Sequence, residues 1–412
     1  MADVVETNGT DITTSYDISS GAVKGFLDNA GKFPYLNLSD KEGMAKFTTY
    51  VNDYLLAKEY NGMAFADGEG VKMLVADPKA TAMDFPIMGQ VPISMRTTKV
   101  VNGTTDIKKG TTNNGGLLSQ RKPVVLSDSA VRMYFNHRWD RRYFIPEEQA
   151  EMLNVDNFTQ QVLDAIASGV AFSKSATIVA QHLEAGLNRG VTDTDSIVSI
   201  GKDKISTEGY IKDKMAQLIS LLDNPKDGYE SGIVSYAKKG EIIVIKASKA
   251  SAIFSKKSGL MDYGDLSNLM LGNASFDPNK RPGTERERFN CGFRLNVLFK
   301  VLPDVYFDKA IKLLSQSLSG NTTELSKIYG YIAHEQGTQF GVGKDKIEIN
   351  RNTDLDNMGN DIKTCIKWGS MTARPNSVAL LVEGAKDGTT DFVNPATADA
   401  PAEIIAPENW DA

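Results

Sequence analysis

Two hydrophobic periods alternate along this chain and divide it into recognisable stretches. Apolar residues three and four apart mark helices, and Met44, Phe47, Tyr50, Val51 and Tyr54 predict an amphipathic one over 41–60. The longest such pattern runs over 156–188, with Phe158, Val162, Ile166, Val170, Leu183 and Leu187 in one stripe. Asn157 followed by Gln160 supplies a capping pattern at its start, and Asn188-Arg189-Gly190 a stop. A helix of that length spans about 50 Å at 1.5 Å per residue. The Ala, Ser and Gly residues at its middle admit close approach of a sheet or a second helix. Ile211, Met215, Leu218 and Leu222 place another helix over 207–223, closed by Asn224-Pro225. Further helices are predicted near 247–255, 304–318 and 323–336.

Elsewhere the period is two. Between 71 and 126 short apolar stretches are punctuated by Asp77-Pro78, Asn102-Gly103 and Asn113-Asn114-Gly115-Gly116. Asn-Gly between extended runs is a strong hairpin signal. Glu241-Ile-Ile-Val-Ile245 reads as a short buried strand. Phe289, Cys291, Phe293, Leu295, Val297, Phe299 and Val301 alternate with Asn290, Gly292, Arg294, Asn296 and Lys300, which predicts one half-buried strand in a mixed sheet. Late strands are expected near 346–351, 361–368 and 377–382. Residues 1–22, rich in Thr, Ser, Asp and Asn, form an arm that needs outside contacts to become ordered, and after Glu383 the chain turns Ala, Pro, Thr and Asp-rich and reads as loose.

Charge sharpens this division. The net charge of the 412 residues is −6. Residues 1–70 hold 11 acidic and 5 basic side chains and residues 383–412 hold 7 and 1, so the body between them carries a surplus of 6 basic groups. A dedicated DNA binder carries a larger and more clustered excess; this body suits other copies of itself, or polyanion, across modest surfaces. Within it, 96–122 sets Arg96, Lys99, Lys108, Lys109, Arg121 and Lys122 against Asp106 alone. A long basic hairpin with almost no core is marginal in water, so it is expected to lie on a neighbour.

With 41% apolar and 24% charged residues the chain has ample mass for a core and for two or three lobes. No run of 18 apolar residues suggests a membrane span, and the first residues lack the basic and apolar regions of a secretory signal. Two cysteines, Cys291 and Cys365, make no disulfide framework and no zinc spacing, which fits synthesis in a reducing cytoplasm or a fold that does not depend on disulfides. Catalytic material is scarce. The three histidines, His137, His182 and His334, are far apart, and the last two fall on predicted helices, where a lone histidine is usually a packing or surface residue. Nucleophile elbow, phosphate loop, zinc-protease and EF-hand patterns do not occur. Gly337-Thr-Gln-Phe-Gly-Val-Gly343 matches no phosphate fingerprint and reads as a helix end and turn. Neither a cofactor nor a metal is implied.

Arg132-Met-Tyr-Phe-Asn-His-Arg-Trp-Asp-Arg-Arg-Tyr-Phe144 interleaves aromatic and basic side chains. That pattern serves stacking platforms for single-stranded nucleic acid, but Tyr, Trp and Arg also concentrate in protein interfaces, the reading favoured here. The mixed-charge run 279–288 reads as a solvated loop before it reads as a pore-lining ring, and Cys291, in the inward stripe, as core.

The order of arm, hairpin, long rod, α/β lobe and closing strands resembles the major capsid proteins of tailed bacteriophages, a fold shared with encapsulins and the herpesvirus capsid floor. Three strings carry the resemblance: 241–254, the strand then helix Glu-Ile-Ile-Val-Ile-Lys-Ala-Ser-Lys-Ala-Ser-Ala-Ile-Phe; Gly292-Phe-Arg-Leu295 running to Leu302-Pro-Asp304; and Ile362–Gly369 followed by Arg374-Pro-Asn-Ser-Val378. The family implies an α+β fold with an N-terminal arm and first helix (1–65), an extended E-loop hairpin (66–130), a peripheral domain (131–206) with spine helix 156–188, and a mixed α/β axial domain (207–340). Residues 341–383 would return to the peripheral domain, before an acidic tail at 384–412. It also implies a non-enzymatic shell protein, made in the host cytoplasm and located in the virion, that forms hexamers and pentamers. Its partners would be scaffold and portal proteins and, non-specifically, packaged double-stranded DNA, without a membrane. The candidate inter-subunit contacts are then Arg96, Lys99, Lys108, Lys109, Arg121, Lys122, Tyr134, Arg138, Trp139 and Arg141. Some family members crosslink a Lys to an Asn, for which Lys108 or Lys109 would serve, although no specific acceptor is evident. An encapsulin-like shell around a cargo enzyme is the alternative, and a cytosolic enzyme with a substrate loop at 96–122 a third reading that the scarcity of histidine disfavours.

Overall fold

The computed structural model describes residues 59, 61–75, 82–87, 99–101, 104–106, 129–146, 158–223, 240–254, 260, 289–295, 297–317, 322–352, 359–385 and 391–396. The predicted arm and most of the 41–60 helix lie outside them, as does the run 279–288. The architecture is α+β. A mixed six-stranded sheet and a four-stranded sheet both pack on one long helix, and two separate two-stranded ladders complete the described strands.

The six-stranded sheet uses β7 (Ile197–Gly201), β8 (Glu241–Lys246), β9 (Asn290–Arg294), β10 (Val297–Leu302), β11 (Ile328–His334) and β14 (Val378–Gly384), in the order β7-β14-β11-β8-β10-β9. Its strands are near-continuous apolar runs because both faces are covered. One face, with Val244, Leu302, Tyr331 and Leu380, meets α1 (Phe158–Thr192) and α4 (Asp304–Ser317). The other, with Ile243, Phe299, Ile332 and Leu381, meets α2 (Tyr210–Asp223) and α3 (Ala247–Ile253). Ile211, Met215, Leu218 and Leu222, the stripe expected of α2, are all buried there.

Three sequence expectations fail in this sheet, each for a physical reason. The predicted helix at 323–336 is a five-residue helix, α5 (Thr322–Ser326), followed by β11. A short apolar run of Ile and Tyr suits a strand buried on both faces, and Gly330 makes the fit obligatory, since a Cβ there would stand 2.1 Å from the Val244 carbonyl oxygen. His334 is therefore on a strand. The single strand expected over 289–302 is a hairpin, β9 against β10, turning at Leu295 with φ +52°. Lys300, expected to face water, is fully buried. The third concerns the tail after Glu383, which is not loose throughout. Phe392 and Ala396 join the core, and the Asn394 amide donates to the Leu187 carbonyl at 2.7 Å.

The four-stranded sheet has the order β1-β12-β13-β6, from β1 (Lys72–Val75), β6 (His137–Pro146), β12 (Thr338–Asn352) and β13 (Gly359–Thr372). Gly341 and Gly343 lie inside β12 rather than ending a helix. Beneath this sheet α1 is buried from Val170 to Leu187 with one break, Phe172, at its half-buried flank. Its small residues Ala171, Ser175, Ala176 and Ala180 admit neighbours on every side. Helix α1 runs past the expected stop at 188–190. Arg189 is held inside by donating to the carbonyls of Asn376, Val378 and Leu221, and Gly190 is the contact point for Ile197 (a Cβ would lie 2.5 Å from it). Close approach, not chain termination, is that glycine's role.

Two further ladders have two strands each. Strand β2 (Ala82–Ile87) pairs antiparallel with β5 (Ser129–Tyr134), and β3 (Lys99–Val101) pairs with β4 (Thr104–Asp106) across Asn102-Gly103, the hairpin the dipeptide predicts. Strand β5 packs on the four-stranded sheet, where Met133 is buried over Gly341. Neither gains a third strand among the described residues.

Candidate functional site

The described chemistry-bearing side chains fall into two groups, one buried and one exposed. The buried group ties residues 59–75 to the core. Lys174, in the middle of α1, pairs with Glu59 beneath the Trp368 ring, whose indole N–H donates to Thr177 Oγ1 at 3.1 Å. Lys300 on β10 donates to the Ala64 carbonyl and meets Glu69, each at 2.6 Å, with the Phe65 ring beside it. A buried ammonium is tolerated only with such full pairing. These two lysines are positioning groups for a segment that then pairs β1 with β12.

The three histidines are packing residues. His182 donates its Nε2–H to the Gly70 carbonyl at 3.0 Å and packs on Tyr331, His137 stacks on Trp368, and His334 Nδ1 accepts from the Gln336 amide. Burial pushes each imidazole down to about 4, so all three are neutral at pH 7. Among the described residues no three His, Cys, Asp or Glu side chains gather where they could hold a metal ion, and no helix is long and apolar enough to cross a membrane. Cys291 packs half-buried against the core of the second face.

The exposed group is the run 132–144. Strand β5 ends at Tyr134, 49% exposed, and β6 begins at His137. Strand β6 is an edge, paired only with β13 among the described residues. Its inward positions carry buried His137 and half-buried Tyr143; outward positions carry exposed Arg138, Arg142 and Phe144. Across the ladder Arg138 stands opposite Lys367 and Arg142 opposite Lys363. Directly opposed like charges destabilise a strand pair. Asp361 relieves the Arg142–Lys363 pair, accepting from Arg142 at 2.7 Å with Lys363 at 3.8 Å. On the neighbouring β2–β5 ladder Arg132 makes a two-pronged contact with Asp84, at 2.6 and 2.8 Å, which raises the guanidinium pKa and lowers that of the carboxyl.

Of the residues singled out by sequence, Tyr134 ends β5, and Arg138, Trp139 and Arg141 are positions of β6, Arg138 on its outward face and 139 and 141 at the alternate positions, opposite Ile366 and Thr364. Lys99 lies on the separate β3–β4 hairpin. Arg96, Lys108, Lys109, Arg121 and Lys122 fall outside the described residues. Sequence reasoning placed Arg132 and Arg142 in the interface run 132–144 without singling them out, and it missed Lys363 and Lys367. Alternation within 132–144 and 361–368 carried the signal for all four, but only the register of β6 on β13 puts their charges opposite one another.

No family model matches the chain, and no curated protein matches it. Among solved structures it is similar to the capsid of Ralstonia phage GP4, with a TM-score of 0.47 and 9% identity over 80% of this chain and 91% of that one. It is also similar to the cyanophage Pam1 capsid asymmetric unit, with a TM-score of 0.46 and 10% identity over 80% and 92%. A chain of Mycobacterium phage Che8 aligns with a TM-score of 0.42 and 13% identity over 76% and 87%.

Proposed function

We propose that this chain is the major capsid protein of a tailed double-stranded DNA bacteriophage, self-assembling through hexamers and pentamers into the icosahedral head. One observation carries the reading: beside a packed core the chain builds the β3–β4 ladder, three residues a side, which no third strand joins among the described residues. An isolated two-stranded hairpin is marginal in water, so the β3–β4 hairpin with its basic flanks becomes stable by lying on another copy. In this account the arm, finger, rod and α/β lobe occupy the spans that the family resemblance implies. Arg96, Lys99, Lys108, Lys109, Arg121 and Lys122 on the finger, with Tyr134, Arg138, Trp139 and Arg141, supply contacts between subunits. The contacts are heterologous and close into rings, and opposite charge on arm and finger sets register more than affinity. Scaffold and portal proteins and packaged DNA are the further partners, the last through phosphate charge, and the virion is the destination.

The test is electron microscopy of the purified chain in negative stain, with sedimentation velocity on the same sample. Closed shells, or rings of five and six that convert to shells, support the reading. A monodisperse monomer or dimer that stays so when co-expressed with scaffold candidates overturns it.

A further inference from the structure

We infer that residues 61–75 form a strap that opens from helix α1 when His182 takes up a proton, while both sheets stay folded. The inference goes beyond the capsid reading and does not depend on it. Geometry carries it. The strap follows α1 for about three turns: Gly62 lies against Ala171, the Ala64 amide donates to Ser175 Oγ at 2.9 Å, and His182 donates to the Gly70 carbonyl. Just ahead of it Glu59 pairs with Lys174. Its other side is held by Lys300 of β10 and by the Gly240 carbonyl, which accepts the Gly70 amide at 3.1 Å. Only its last four residues, β1, join a ladder. The rest is fastened by single contacts and four buried apolar residues, Met63, Ala64, Phe65 and Val71, so it opens locally at less cost than a sheet strand.

His182 sits where an added proton finds no acceptor. The ring is fully buried, its Nε2–H is committed to Gly70, and Nδ1 has no hydrogen-bond partner among the described residues. Phe65 faces the ring from the strap and Tyr331 from β11, with Phe307 of α4 behind Tyr331. Burial keeps the Tyr331 hydroxyl neutral. The charges around this site are already matched or turned elsewhere. Lys300, beside the Phe65 ring, meets Glu69; Lys174 on α1 meets Glu59; Glu184 accepts from Gln181; Glu241 of β8 stands opposite His334; and Glu335 lies against Gly68 and Gly240. Burial therefore holds the imidazole to about 4, against the Gly70 bond. Lifting the strap admits water to Nδ1 and returns the ring to about 6.5. The open form then binds the proton more tightly, so acid opens the strap. Linkage sets the gain in the opening equilibrium at about thirtyfold between pH 7.5 and pH 5.

Thiol labelling of the full, unassembled chain tests this. Ala64→Cys reports on the strap and Ala379→Cys on the six-stranded sheet, each in a Cys291→Ser, Cys365→Ser background; both alanines are fully buried. The probe is a pyridyl disulfide, which reacts in acid as well as at neutrality, and each rate is divided by that of the urea-unfolded chain at the same pH. Position 64 is expected to label about thirtyfold faster at pH 5 than at pH 7.5, and to stay at least tenfold ahead of position 379. Equal rates at the two positions mean that the whole chain opens, and overturn the strap. His182→Gln keeps an N–H donor and takes up no proton, so with it the rise at position 64 is expected to fall below threefold. An undiminished rise overturns the role of His182. Papain digestion of the unaltered chain, mapped by mass spectrometry and normalised in the same way, covers the case in which Ala64→Cys fails to fold. Cuts within 61–75 are expected to increase on acidification, and cuts that do not increase overturn the proposal.

Discussion

The β11–β8 pair and the β3–β4 pair are both antiparallel ladders, yet they live in opposite circumstances. Strand β11 is buried along its whole length, with helices on either face of its sheet and Gly330 seated against the Val244 carbonyl. The β3–β4 ladder has three residues a side and no other strand beside it among the described residues. The first is stabilised by its own chain. The second, a short two-stranded ladder, is marginal in water on its own, and in the proposed account a neighbouring copy completes it.

Substitutions that act on one region and spare the other sharpen this contrast. The largest effect belongs to the core. Trp368→Ala removes a fully buried indole and leaves the Thr177 hydroxyl without its donor, so it is expected to cost about 3–5 kcal/mol, read as a lowered urea midpoint. Next is Lys300→Ala, which strands Glu69 beside the core and is expected to cost about 3–5 kcal/mol. The double variant Lys300→Met, Glu69→Gln should recover most of that loss, because the penalty comes from the widowed charge.

Acid should discriminate between the regions as well. His137, His182 and His334 have folded pKa values of about 4, below the usual 6.5, so the unfolded chain binds more protons between those values. Their contribution is complete above pH 6.5 and is lost as pH falls toward 4. Asp84, whose carboxyl is held below its ordinary range chiefly by its hydrogen bonds from Arg132, keeps that pair through the same window and loses it only at lower pH. Unfolding midpoints at pH 7, 6 and 5 should therefore fall steadily; a flat profile would mean that the imidazoles are hydrated. The smallest effect is Arg132→Ala, which breaks an exposed ion pair and is expected to leave the urea midpoint essentially unchanged.

The same contrast explains what was legible in sequence. Helix α1, α2, the Asn-Gly hairpin and the buried strand at 241–246 announce themselves by local period and turn chemistry, and all appear near the expected positions. What failed depended on partners far away in sequence. Lys300 alternates as an outward residue should, and only Glu69 and the Ala64 carbonyl, more than 200 residues earlier, make it an inward one. Residues 328–334 read as part of a helix over 323–336, and only β8 and β14 flanking them make them a strand. Gly190 looked like a helix stop because nothing local reveals Ile197 packed against it. The basic-aromatic run 132–144 was visible as a surface, but its opposed charges emerged only from the register on β13.

Hydrogen exchange on the unassembled chain and on assembled particles tests the central claim most directly. The account predicts that amides of 170–187 and 328–334 are protected in both states, while those of 99–106 exchange freely before assembly and become protected after it. A hairpin already protected in the unassembled chain, or still unprotected in the particle, would contradict it.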